Sequence, residues 1–99
     1  MIDTAIKTIR VLLIDDHRSV LWGLEKLIDS QTPKMQVVGK FTSFAEASSQ
    51  LAKLSPDVIL LDLDLGGEEG IVVIPQFAPL TRAIILILSG WRVAALDDR

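Results

Sequence analysis

The chain has no cysteine among its 99 residues. Disulfides and thiolate metal sites are thereby excluded, and a reducing, cytoplasmic setting is the expectation. Long hydrophobic runs are also missing. The longest, such as Ile84-Ile85-Leu86-Ile87-Leu88, fall far short of the roughly 20 apolar residues of a membrane helix. The opening Met1-Ile2-Asp3-Thr4-Ala5 has neither the charged n-region nor the apolar h-region of a secretory leader. No membrane contact is expected. Nor is there an excess of positive charge: 10 Lys and Arg stand against 13 Asp and Glu, for a formal net charge of -3. The basic residues are scattered and form no stripe, so no nucleic-acid contact by this chain is expected.

What is present is core-forming material. Hydrophobic residues make up 49% of the chain and mean hydropathy is +0.43, the signature of a globular domain. The length suits one small domain, residues 1–99, with a single core. Four short runs rich in leucine and β-branched residues recur: Ile9–Ile14, Met35–Val38, Val58–Leu61 and Ala83–Leu88. Unbroken apolar runs of this length suit strands buried on both faces, as in parallel sheets.

Between them lie helical patterns. Val20, Leu24, Leu27 and Ile28 share one face of a first helix, with Asp16 or Ser19 as candidate cap and Gln31-Thr32-Pro33 as its end. Phe44, Ala47, Leu51 and Leu54 mark a second, where Ser43 followed by Glu46 forms a capping-box pattern. Ser55-Pro56-Asp57 turns the chain into the third strand. A third helix over Glu68–Phe77 follows the Gly66-Gly67 loop, and Pro75 shortens or kinks it. Alternating strands and helices give β-α-β units and a doubly wound α/β fold with a parallel sheet. The spacing of strand starts, about 20 to 26 residues, puts a fifth strand beyond Arg99.

Two of the apolar runs end on aspartate. Val11–Ile14 leads into Asp15-Asp16, and Val58–Leu61 into Asp62. If those strands are neighbours, three carboxylates gather at the edge of the sheet where ligands of open α/β sheets bind. A divalent cation would offset their repulsion. His17, beside the aspartates, reads as a solvated loop histidine with metal binding or proton transfer as its alternatives. Trp22 is expected to cover the helix–sheet boundary, with an interface role as the alternative. Glu68-Glu69 and Asp97-Asp98 read as solvated surface charge, the first pair also suiting a helix start.

These residues resemble a two-component response-regulator receiver domain, from about Ile9 to the end. The resemblance rests on Ile14-Asp15-Asp16-His17-Arg18, on Pro56-Asp57-Val58-Ile59-Leu60-Leu61-Asp62-Leu63-Asp64-Leu65, on Gly67 and Gly70, and on Ser89 closing the fourth strand. The Asp-Asp-His opening, followed by Leu21-Trp22-Gly23-Leu24, is most similar to the NarL/LuxR-type branch. The resemblance implies a flavodoxin-like, CheY-like sheet of about four β-α repeats, without the usual fifth strand, last helix or effector domain. It implies a non-enzymatic module that accepts phosphate on Asp62 from a sensor histidine kinase. Asp16 would ligate Mg2+ directly, Asp15 through water, and Asp62 and the backbone carbonyl of Asp64 would complete the oxygen set. Magnesium takes oxygen ligands and keeps several waters, so few carboxylates suffice. Ser89 would be the switch hydroxyl.

The chain departs from the family pattern at Gly66, where proline is usual, and at Gly90, where alanine is common. The lysine usual at the end of the fifth strand would fall beyond Arg99, which removes a charge-assisted partner of the phosphoryl group. In the full-length parent the expected role is regulation of transcription. Two other readings stand beside it. A switch-defective receiver fragment would act as an interaction module, self-associating through the edge of the fourth strand or through a rearranged segment after Ser89. Asp62-Leu63-Asp64-Leu65 also looks like the nucleophile motif of haloacid-dehalogenase-type phosphatases, which leaves Asp15-Asp16 unexplained.

Overall fold

A computed structural model describes residues 7–62, 74–76 and 78–88. Strand β1 (Ile9–Ile14) leads through helix α1 (Arg18–Asp29) to β2 (Met35–Phe41). Helix α2 (Phe44–Leu54) then leads to β3 (Val58–Asp62), and a 3-10 turn at Ala78–Leu80 precedes β4 (Ile84–Leu88). The four strands lie in the order β2-β1-β3-β4, and every pairing is parallel. The parallel α/β sheet is the one expected from the alternation of apolar runs and amphipathic segments, and its order is the CheY-like one that the resemblance implies. Residues 74–76, which include Pro75, are helical. The rest of the expected third helix lies outside the described residues, as do Asp64, Gly66, Gly67, Gly70, Ser89, Gly90 and Trp91.

The side-chain alternation of β1 builds two cores, one on each face of the sheet. Leu12 and Ile14 join Ile59 and Leu61 beneath Phe44, Ala47 and Leu51 of α2. Val11 and Leu13 face the other way, onto Leu21 and Ile28 of α1. Each of these large side chains contributes roughly 1.5–3 kcal/mol on burial. Together they fix the register in which Ile14 lies beside Leu61.

The buried face of α1 differs from the one read in sequence. Leu21 and Ile28 are buried and Leu24 packs against them, whereas Val20 is 43% and Leu27 65% exposed. Leu24 and Ile28 belong to both faces, so spacing alone did not separate them, and docking on the sheet did. Trp22 is 62% exposed and does not cover the helix–sheet boundary; the Lys26 ammonium stands 5.5 Å from its ring centroid. Helix α2 starts as read: the Ser43 hydroxyl accepts from the Glu46 N–H at 3.2 Å. It ends on Ser55 in the left-handed region, φ 45°.

Strand β2 continues past Val38 through a bulge. Val11 pairs with Val37 and Leu12 with Gly39, leaving Val38 as the extra residue. Gly39 belongs there for lack of space: a Cβ would stand 2.9 Å from Leu54 Cδ1 and 2.9 Å from a Phe41 ring carbon. At the opposite end of the sheet Asp57 clips three strands. Its carboxylate accepts from the Arg10 N–H at 2.8 Å, its N–H donates to Arg10 O, and its carbonyl accepts from the Ile84 N–H. Gly39→Ala is expected to lower unfolding free energy by about 1–3 kcal/mol through overpacking. That exceeds the roughly 0.4–1 kcal/mol gained from a stiffer unfolded chain. Urea denaturation checks it, and an unchanged or higher midpoint would contradict the close packing.

Candidate metal and phosphoacceptor site

The parallel pairing of β1 with β3 ends with Ile14 beside Leu61, so the next residues, Asp15 and Asp62, emerge together at the carboxyl edge. Asp15 is held there by its backbone. Its N–H donates to Phe41 O at 3.0 Å, continuing the β1–β2 ladder, and its side chain is 10% exposed. The Asp62 side chain is 13% exposed and that of Asp16 is 34% exposed. Solvent reaches the cluster mainly past Asp16 and His17. The sequence-derived trio is thus one site on the central strands β1 and β3.

His17 is a fourth member. It occupies the N-cap position of α1 with extended backbone, and no side-chain cap bond is made there. Asp15 Oδ1 accepts from its backbone N–H at 2.8 Å. Its ring Nδ1 stands 2.9 Å from Asp15 Oδ1, 3.1 Å from Asp16 Oδ1 and 3.7 Å from Asp62 Oδ2. The reading of a solvated loop histidine is half right: the ring is 60% exposed, yet it faces all three carboxylates. The N-cap position falls on His17, one residue after Asp16 and two before Ser19, the two candidates read in sequence. The signal in the sequence was adjacency itself, an imidazole one residue after two strand-end aspartates.

One donor atom from each of Asp15, Asp16, His17 and Asp62 lies within 4.8 Å of the others, a spacing able to hold a metal ion. Receiver domains bind Mg2+ at an acidic pocket of this kind, and the three carboxylates fit that preference for oxygen donors. The hydrogen bond to Asp15 raises the His17 pKa above 6.5, and the charges of Asp16, Asp15 and Asp62 raise it further. A raised folded-state pKa means that the contribution of this contact to stability is fully present below pH 6.5. It is lost as pH rises through the higher folded value. In metal-free protein, NMR titration of the His17 ring should give a midpoint above 6.5, shifting down in Asp15→Asn. A midpoint at or below the free value would contradict the cluster.

Comparison with known proteins agrees with this geometry. Residues 11–96 match the family model of the response regulator receiver domain. The chain is 39% identical over 91 residues to the transcriptional regulatory protein LiaR of Bacillus subtilis, covering 91% of this chain and 41% of that protein. It spans about two fifths of the length of the curated relatives it matches. Among solved structures it superposes on the response regulator domain of Thermotoga maritima CheB with a TM-score of 0.77. That match has 28% identity and covers 92% of this chain and 70% of that one. A LuxR-family response regulator from Aurantimonas sp. SI85-9A1 gives a TM-score of 0.67 at 31% identity, covering 91% and 66%. Domains of this family are generally non-enzymatic signalling modules. Sheet order, strand-end aspartates and family match converge, and the chain belongs to the receiver domains of two-component response regulators, with relatives of the NarL/LuxR type.

Proposed function

We propose that this chain is a cytoplasmic phosphoacceptor in which Asp62 takes a phosphoryl group from a phosphohistidine of a sensor histidine kinase. The observation that carries this is the meeting of Asp15, Asp16 and Asp62 at the ends of adjacent parallel strands. A carboxylate oxygen of Asp62 attacks phosphorus, the bond from phosphorus to the histidine nitrogen breaks, and an acyl phosphate results. Asp15 and Asp16 hold Mg2+, with the Asp62 carboxylate and the Asp64 carbonyl as further ligands. Bound there, the cation offsets negative charge on the incoming phosphate. The Asp62 side chain is 13% exposed, which narrows the directions from which a phosphoryl donor can approach it. Ser89 is the switch hydroxyl in this reading.

Phosphatase chemistry on Asp62 and Asp64 has less support, since it gives no role to Asp15 and Asp16. The length of the relatives and the description of LiaR as a transcriptional regulatory protein favour a place in a longer transcription regulator. Among the described residues, no helix is long and apolar enough to cross a membrane.

An interaction role for the β4 side of the sheet rests on its own observation. Leu86 lies in one row with Leu60 and Leu13, and Ile84 in one with Val58 and Val11, on the face that α1 covers. Yet Ile84 is 63% and Leu86 49% exposed. Apolar edge strands invite pairing, and we assign this one to a second copy of the chain.

Acetyl phosphate with Mg2+ should add the mass of one phosphoryl group to the intact chain, and Asp62→Asn should abolish the gain. A gain independent of Mg2+, or one retained in Asp62→Asn, would overturn the acceptor assignment. Light scattering at high micromolar concentration should give a mass above the monomer, falling towards it in Leu86→Lys. A monomer at that concentration would refute self-association.

A further inference from the structure

The two edges of the sheet are finished differently. At the β2 edge the Val37 N–H donates to the Asp29 carboxylate at 3.0 Å, Val38 is the bulge residue, and Lys40 sets a charge in the strand. These are devices that keep edge strands from pairing with another chain. Strand β4 is the other edge among the described residues. Its sequence Ile84-Ile85-Leu86-Ile87-Leu88 holds no charge and no proline, and its register against β3 runs without a bulge. The Ile84 N–H donates to Asp57 O at 3.0 Å, so Ile84 and Leu86 turn their backbone groups towards β3. By the alternation of a parallel ladder, Ile85 and Ile87 turn theirs outward. Ala83 faces outward too, but its N–H is taken by Thr81 Oγ1 at 3.0 Å.

We infer that two copies of the chain join their β4 edges antiparallel about a two-fold axis at Leu86, making one continuous sheet. The inference rests on the proposed self-association and specifies its geometry. Parallel pairing needs an offset between two identical strands that no two-fold axis allows. Antiparallel pairing sets like groups opposite each other and closes as an isologous dimer. Centred on Leu86, Ile85 of each copy exchanges both of its hydrogen bonds with Ile87 of the other. Centring on Ile85 would instead set Ile87 against Ala83, whose N–H is already engaged. In the Leu86 register the row Leu13-Leu60-Leu86 on the α1 face runs on into the same row of the second copy. Leu86, 49% exposed in the single chain, then lies against its own symmetry mate. No charge within β4 opposes the pairing. The acidic ends, where Asp62 lies beside Leu88, point to opposite edges of the joint sheet, so each acceptor site faces away from the other.

The chain has no cysteine, so single engineered cysteines in the full chain report the register cleanly. Opposed residues at a non-hydrogen-bonded antiparallel position have Cα atoms about 4.5 Å apart, within the roughly 4.4–6.8 Å that a disulfide spans. At high micromolar concentration under a mild oxidant, Leu86→Cys should therefore become a covalent dimer of twice the mass. In the same register the two copies of Ile84 lie about 14 Å apart, at about 3.4 Å per residue, so Ile84→Cys should remain uncross-linked. Ile87→Pro removes an N–H that points outward and none that bonds β3, a change edge strands tolerate. It should bring the light-scattering mass down to the monomer with far-UV circular dichroism unchanged. Equal cross-linking of Ile84→Cys and Leu86→Cys would overturn the inference, as would full association of folded Ile87→Pro. Chains that associate without cross-linking at position 86 would overturn the register while leaving self-association standing. A natural chain that scatters as a monomer would remove self-association itself, and neither result touches phosphorylation of Asp62.

Discussion

The structure depends on the parallel pairing of β1 with β3, which buries apolar side chains and drives like charges together at the same time. Leu12, Ile14, Ile59 and Leu61 are each no more than 1% exposed, and their register leaves no other place for Asp15 and Asp62 than side by side. Two unit charges about 4 Å apart repel by roughly 1 kcal/mol in water and roughly 4 kcal/mol at an effective dielectric of about 20. Four buried apolar side chains, at roughly 1.5–3 kcal/mol each, outweigh that repulsion. The core holds the site together against its own electrostatics, and the site in turn is left with an affinity for positive charge. His17 answers that demand in the protein alone, and a divalent cation answers it more fully.

That arrangement ties fold to function through one end of the sheet. At the other end the Asp57 clip joins β1, β3 and β4 through hydrogen bonds to Arg10 and Ile84, and Arg10 reaches the Leu54 carbonyl at the end of α2. The strands are therefore anchored at their starts while the acidic residues are presented at their ends. Asp15 is tied through Phe41, and His17 through Asp15, so α1 begins from the site itself. An event at the carboxylates bears directly on the first turn of α1 and on the end of β2.

Much of this was legible in the residues. Val11–Ile14 and Val58–Leu61 are apolar without interruption because both faces of their strands are covered, and each run ends on the acid that matters. Ser43 and Glu46 declared the start of α2. Other features needed the third dimension. Gly39-Lys40 breaks the apolar run of β2, although Gly39, Lys40 and Phe41 continue the pairing with β1 beyond the bulge. The face of α1 was ambiguous because Leu24 and Ile28 serve two overlapping stripes. Trp22 was expected over the helix–sheet boundary but is largely exposed, where its ring meets Lys26. His17 looked solvated because neighbours in sequence do not say where a side chain turns. Asp64 and Ser89, assigned through family likeness, lie outside the described residues.

The central claim is that the three strand-end aspartates form one cation site, and a magnesium titration followed by amide NMR tests it most directly. The account predicts saturable shifts centred on Asp15, Asp16, His17 and Asp62, with the Asp57 clip and the Ser43 cap left in place. Absence of saturable shifts at those residues, or shifts centred elsewhere, would contradict it.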